Sequence, residues 1–473
     1  MSLSAELRSA GREPPLPLIL PLEQGETRVV RWLRVLPGKR LVGQVEAGGQ
    51  QQLLKLFIAA GAERHCAREA SGIRALQAQG VATPELLGEG EIDGGGRYLL
   101  SAYLIGAETL QQRWEALSAR QPGDADALNL LGQALSLIGT MHQRGLVQTD
   151  LHLGNFLLHE AQLYVIDGDA VEALSPGAPV TPAQAEDNLA IFFAQLDPEW
   201  DELCELLLIG YLQHNPLALN PDRLAEQIKR VRQRRLDDFL GKTLRDCTQF
   251  SVKRSWTRFA AVVRTEYQRL ASLLAAPDDA LAGQTLLKDG GSSTVGCAVA
   301  DGKSVVIKRY NIKGFGHWLT RFWRPSRAWH SWLAAHRLQF LGIPTPAPLA
   351  MMEQRFGPLR RRSWLITEYC YGVDLLRHLG EDGQRLPDDA TATALLKLFA
   401  QLVEARISHG DFKATNLLWL DGRVILIDLD AMQAHTRNAG WQRAWQKDRQ
   451  RFIRNWPAAS PLACWLEERM PRF

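Results

Sequence analysis

The chain has 473 residues, 46% hydrophobic and 23% charged, a composition that builds folded cores and excludes intrinsic disorder. Its formal net charge of +3 exerts no average pull toward nucleic acid or an anionic surface, so any such partner must be read from local clustering. Six cysteines without a C-x-x-C pair exclude zinc ribbons, redox motifs and a small disulfide framework, and no apolar stretch is long enough to cross a membrane. Length allows about three ordinary domains or two larger ones. In chain order, the apolar run Leu16–Leu22 is broken by Pro17 and Pro21, which makes residues 1–24 an ordered arm rather than a secretion signal. A β-type run around Lys55 follows, then a helix over Ala67–Gln79 carrying Glu69, the segment Gly80-Val-Ala-Thr-Pro84 and a second strand-like run, Arg97–Tyr103. Asp150-Leu-His-Leu-Gly-Asn155 precedes a short β run ending Asp167-Gly-Asp169. Residues Ala185 to Ala275 are expected to be amphipathic helices, and Ala276-Pro-Asp-Asp279 is the expected junction between domains at 25–276 and 280–473.

Beyond that junction the polar landmarks return in the same order. Ser304-Val-Val-Ile-Lys308 matches the Lys55 run, Gly342-Ile-Pro-Thr-Pro346 matches Gly80–Pro84, and Asp411-Phe-Lys-Ala-Thr-Asn416 matches Asp150–Asn155. Ile425-Leu-Ile-Asp428-Leu-Asp430 then repeats the final pair of aspartates. In both copies Asn follows the first Asp by five residues and the next Asp follows Asn by twelve. Two tandem copies of one α+β architecture account for this pattern.

A loop carboxylate, an amide five residues on and a carboxylate at a strand end bring three hard oxygen-bearing groups to one cleft. Phosphoryl transfer from a nucleotide needs these groups: a carboxylate to orient the acceptor hydroxyl and oxygen ligands for Mg²⁺. The orienting carboxylates are then Asp150 and Asp411. The metal ligands are Asn155 and Asp167 in the first copy, Asn416 and Asp428 in the second. Lys55 and Lys308 supply a point charge for the phosphates. Asp169 and Asp430 fit either a second metal ligand or a cap for the next segment.

These residues resemble the protein-kinase-like superfamily, in which Val305-Val-Ile-Lys308 is similar to the strand-lysine motif and His409-Gly-Asp411 through Asn416 is similar to the catalytic loop of the small-molecule branch. Gly-x-x-Thr-Pro together with Asp-Leu-His-x-Gly-Asn resembles, more narrowly, the bacterial lipopolysaccharide core kinases that act on heptose or Kdo. The resemblance implies tandem bilobal domains, each with a β-rich N-lobe and a helical C-lobe. It further implies an ATP- and Mg²⁺-dependent kinase for a sugar, expected to be heptose, of the inner core. The implied acceptor is a core glycolipid, met peripherally at the cytoplasmic face of the inner membrane, with no nucleic-acid partner. The rival readings are a kinase of the aminoglycoside or choline type and a tandem pseudokinase that scaffolds envelope enzymes.

The copies depart from the pattern differently. Glu69 fits the partner that holds Lys55 in place, whereas Ser331 stands at the corresponding position of the second copy, so the first domain is expected to be catalytic. The second copy has a turn in which Gly290, Gly291, Ser292 and Ser293 are placed to cover phosphates, and it keeps His409 where the first has Gln148. Fifty residues, Lys303 to Met352, contain no acid but hold Trp318, Trp323, Trp329 and Trp332 among basic residues, a mix expected at an anionic membrane surface. Trp441, Trp445 and Trp456 repeat this flavour near the C-terminus, as part of the same surface or as a closing helix.

Overall fold

A computed structural model of the chain describes residues 2–118, 120–282, 286–290, 293–311 and 325–473. It divides into two compact units, Met1–Gln233 and Arg234–Phe473, and the division falls inside the helix Pro221–Lys242.

The first unit opens with a six-stranded antiparallel sheet whose spatial order is Leu18–Leu22, Gly25–Leu36, Arg40–Ala47, Gln50–Phe57, Gly96–Ala102, Leu86–Ile92. Alternation along Gln50–Phe57 sends Leu54 and Leu56 into one face, where they pack with Leu7 of the helix Leu3–Ser9. Of the expected arm at 1–24, the helix Leu3–Ser9 packs on this face while Leu18–Leu22 is itself the edge strand of the sheet. Lys55 points the opposite way, toward the helix Ala62–Ala78, because successive strand side chains alternate between faces. After the sheet the unit turns helical around Ala125–Gln143, capped by the Asp124 carboxylate and burying Leu131, Leu135 and Ile138 at helical spacing.

The second unit is built on a seven-stranded antiparallel sheet in the order Phe250–Arg254, Arg258–Val263, Pro348–Phe356, Leu359–Glu368, Lys303–Tyr310, Ser293–Ala300, Leu286–Gly290. Lys308 sits opposite Val295 and Leu365 in this sheet as Lys55 sits opposite Val42 and Leu99 in the other. The helix Arg327–Phe340 packs on the lysine face, and Asp389–Glu404, Asn438–Ile453 and Pro461–Arg469 form the core of the helical lobe. A β-rich lobe followed by a helical lobe, repeated once, is the tandem protein-kinase-like arrangement.

Two expectations change here. Residues 250–263 are not helical but form a hairpin, and Arg258–Val263 pairs with Pro348–Phe356, so this stretch belongs to the second sheet and not to the first domain. The alternation Phe259-Ala-Ala261-Val, with Phe259 and Ala261 buried, satisfies a two-residue period over too few residues to stand out beside long helices. The described tryptophans of the basic stretches also lie inward. Trp332, Trp441, Trp445 and Trp456 are buried and Trp329 is half-buried against Phe259, whereas Trp318 and Trp323 lie outside the described residues. Core packing takes up those indoles, while Arg443, Lys447, Arg451 and Arg454 remain exposed on and just beyond the Asn438–Ile453 helix.

Candidate active sites in two kinase-like units

In the first unit the strand lysine finds the partner expected of it. Lys55 Nζ bonds Glu69, which is 1% exposed, and lies 3.6 Å from Asp167 Oδ1. Glu69 Oε1 also accepts the Gly168 backbone N–H at 3.2 Å, so the helix is tied to the turn that carries Asp167. Asp167 has φ +68° and Asp428 φ +58°, a left-handed conformation that costs energy outside glycine and recurs at functional turns. Asn155 Nδ2 donates to the Asp150 carbonyl at 2.7 Å, which fixes the loop and leaves its side-chain oxygen as an acceptor. The Asp150 carboxylate itself is 72% exposed, with His152 3.7 Å away.

The second unit assembles the same groups in a closer setting. Asn416 Nδ2 donates to the Asp411 carbonyl at 2.8 Å and to its Oδ2 at 3.2 Å. Lys413 and Arg451 reach Asp411 Oδ1 at 3.0 and 2.6 Å. Partial burial raises the Asp411 carboxyl, but the hydrogen bonds and charges of Lys413 and Arg451 outweigh it and hold the group below the usual carboxylate range. It is therefore ionised at neutral pH and ready to accept a hydroxyl hydrogen. Lys308, Asn416 and Asp428 line a cavity of about 540 Å³ between the lobes, walled by Val295, Val306 and Leu365 from the sheet and Leu418 and Ile427 from below. An apolar slot with a few polar groups at one end suits a nucleotide base and its phosphates. Ser293 lines the cavity and pairs with Gly290 across the turn, whereas Gly291 and Ser292 lie outside the described residues.

With Ser331 at the helix position Lys308 has no glutamate partner there, yet two aspartates pair with it. Its Nζ bonds Asp428 Oδ1 at 2.5 Å and Asp430 Oδ2 at 2.8 Å. Ser331, at the place of Glu69, donates to Asp430 Oδ1 at 2.8 Å. The reason for favouring the first domain over the second is thereby removed.

Two buried supports of the candidate catalytic loops escaped the sequence. Asp448 accepts the backbone N–H groups of His409 and Gly410 at 2.6 and 3.0 Å, and burial raises its carboxyl above the usual range despite those two bonds. In the first unit a neutral chain does this work: Asn215 donates to Tyr211 Oη at 2.7 Å and Tyr211 lies 2.9 Å from His142 Nδ1. His142 Nε2 lies 3.0 Å from Asn188 Oδ1, and Asn188 Nδ2 donates to the Gln148 carbonyl at 2.8 Å. The available signal for Asp448 was its isolation, as the one acid between Asp430 and Glu467.

Among the described residues no group of three or more His, Cys, Asp and Glu gathers into a metal site. Mg²⁺ takes one or two protein oxygens together with substrate phosphates. Asn155 with Asp167, and Asn416 with Asp428, present such oxygens.

These clefts, each with a strand lysine, a loop Asp and Asn and a strand-end Asp, define a phosphotransferase of the protein-kinase-like class, and kinases of this class take the phosphoryl group from ATP. Within that class, residues 297–457 match the model of the Lipopolysaccharide kinase (Kdo/WaaP) family. No curated protein matches the chain. Among solved structures, "WaaP in complex with acyl carrier protein" is similar at 20% identity and TM-score 0.34, over 43% of this chain and 88% of that one. The Mycobacterium tuberculosis PknI kinase domain is similar at 18% identity and TM-score 0.30, over 46% and 98%. Vaccinia related kinase 3 follows at 12% identity and TM-score 0.28, over 53% and 82%.

Proposed function

We propose that this chain transfers a phosphoryl group from ATP, with Mg²⁺, to a heptose hydroxyl of the lipopolysaccharide inner core, and that the second unit carries the transfer. The observation that carries the reading is the second cleft itself, in which Lys308, Asn416 and Asp428 line a cavity beside a doubly cation-held Asp411, inside the segment that matches the family. Asp411 accepts the hydrogen bond of the sugar hydroxyl and aims its oxygen at the γ-phosphorus. Lys308 steadies the phosphates. Asn416 and Asp428 would hold Mg²⁺, which when bound neutralises charge on the phosphate oxygens. In the first unit Asp150, Asn155, Asp167, Lys55 and Glu69 occupy the corresponding places.

A glycolipid acceptor calls for work at the membrane surface, and no described helix is long and apolar enough to cross a membrane. The exposed basic row Arg443, Lys447 and Arg454 supports peripheral contact with anionic headgroups. The test is incubation of the purified chain with ATP, Mg²⁺ and inner-core glycolipid stripped of phosphate. The reading predicts a mass gain of one phosphate on a heptose, and no turnover of kanamycin or choline. Turnover of the soluble acceptors alone would overturn it, as would failure of both units to bind ATP with Mg²⁺.

A further inference from the structure

Asp430 is one of the most heavily engaged carboxylates of the second unit. Tyr310 Oη and Ser331 Oγ donate to its Oδ1 at 2.6 and 2.8 Å, and Lys308 and Arg327 reach its Oδ2 at 2.8 and 2.6 Å. Its side chain is 11% exposed. A carboxylate offers about four lone-pair directions, and here four donors meet them. Asp428 differs: it is about a third exposed and, among the described residues, its carboxylate bonds only Lys308. One of the two aspartates is thus open to take up a cation while the other is already saturated.

The first unit shows what Asp430 replaces. There the helix residue Glu69 bonds the lysine, and Asp169, the counterpart of Asp430, turns away to Arg68 at 3.3 Å. In the second unit the helix position is the short Ser331, and the aspartate swings to the lysine instead. The helix–turn contact differs between the units too. Gly72 of the Glu69 helix lies so close to Gly168 that a Cβ on it would fall 2.0 Å from the Gly168 carbonyl oxygen. The matching residues of the second unit, Ala334 and Leu429, both carry side chains and share one hydrophobic cluster. The two units therefore differ in side-chain bulk at this helix–turn contact as well as at the Glu69 and Ser331 positions.

Resting on the kinase reading above, we propose that Asp430 is the positioning residue of Lys308, performing from the strand-end turn the task that Glu69 performs from the helix, and that it is not a metal ligand. Lys308 is shared by two carboxylates in this structure. When Asp428 is given over to Mg²⁺ on the nucleotide, Asp430 keeps the ammonium in place, and Tyr310, Ser331 and Arg327 keep Asp430 in place.

The test reads each lysine separately. The full chain is treated with an amine-reactive acyl-phosphate of ATP, and protection of Lys308 and Lys55 by added ATP is followed by peptide mass spectrometry, with and without Mg²⁺. Asp430→Asn should raise the ATP concentration that half-protects Lys308 by about tenfold under both conditions, leaving Lys55 unchanged. Adding Ser331→Glu to it, which rebuilds the arrangement of the first unit, should bring the value back to within about threefold of the unsubstituted chain. Tyr310→Phe, a milder change for the case in which Asp430→Asn fails to fold, should shift Lys308 about threefold in the same direction. In turnover the Michaelis constant for ATP should rise while that for the acceptor stays put. A loss confined to the Mg²⁺ condition would make Asp430 a metal ligand and overturn the proposal. So would an unchanged Lys308 in Tyr310→Phe, or no recovery with Ser331→Glu in a folded double variant. Absence of ATP protection at either lysine in the unsubstituted chain would instead overturn the kinase reading itself.

Discussion

Gln148 and His409 differ in chemistry yet make the same bond. Gln148 Nε2 donates to the Ile166 carbonyl at 2.7 Å, and His409 Nε2 meets the Ile427 carbonyl at 2.9 Å, each just before a strand-end aspartate. What matters at this position is a planar side chain presenting one N–H, so the histidine expected by the motif is replaceable without loss of the turn. His409→Gln should therefore leave ATP protection of Lys308 within about twofold, whereas His409→Ala leaves a buried carbonyl unpaired and should cost roughly 1–3 kcal/mol in denaturant melts. His142 shows the opposite, a histidine that must stay neutral. Burial pushes it from an ordinary 6.5 down to about 4, against the opposing pull of its bond to Asn188. Because the folded-state value is depressed, the unfolded chain takes up the proton first. Its stability contribution is complete above pH 6.5 and drains away as pH falls toward 4, about 3 kcal/mol in all. Hydrogen exchange of the helix Ala125–Gln143 should show this acid limb, and His142→Gln should flatten it. His336, pushed down to about 3 by burial, adds a loss of the same sign in the second unit.

At the scale of elements, close approach and isolated charges decide what the spacing of polar residues leaves open. Gly72→Val would drive a side chain into the Gly168 carbonyl, so it should cost roughly 1–3 kcal/mol or more and loosen the Lys55–Glu69 pair, as read by faster acylation of Lys55. Asp448→Ala would strip two backbone N–H groups of their acceptor and should destabilise the second unit by roughly 2–4 kcal/mol, with Asp448→Asn between. The candidate catalytic loops and both lysine strands were legible as a repeat because the same residue types recur at fixed separations. The hairpin at 250–263 was not, since five- and six-residue strands carry little periodic signal and their partner lies far along the chain. Nor was the direction of Trp441 and Trp445: an indole two residues from an arginine faces the other way on a helix, and only the packing of neighbouring helices says which face is inside. The part of Asp430 was hidden for a related reason. Its spacing in the two copies is identical, and only the contacts show that it meets Lys308 where the helix carries the short Ser331 in place of a glutamate.

For the whole molecule, a nearly neutral total conceals two units built on one plan and an exposed basic row on the Asn438–Ile453 helix. The first unit keeps the lysine–glutamate pair of the general pattern but leaves Asp150 in solvent. The second lacks that glutamate, yet holds Asp411 between two cations beside a formed cavity. Intact pairing of the strand lysine therefore does not decide which unit carries the transfer, because the second unit reaches the same end through Asp430. The most direct measurement is the phosphate content of the inner core, by mass spectrometry, in cells whose only copy of this chain carries Asp411→Asn or Asp150→Asn. The account predicts that core phosphate falls by one group with Asp411→Asn and is retained with Asp150→Asn. Loss with Asp150→Asn alone, or retention when both are replaced, would contradict it.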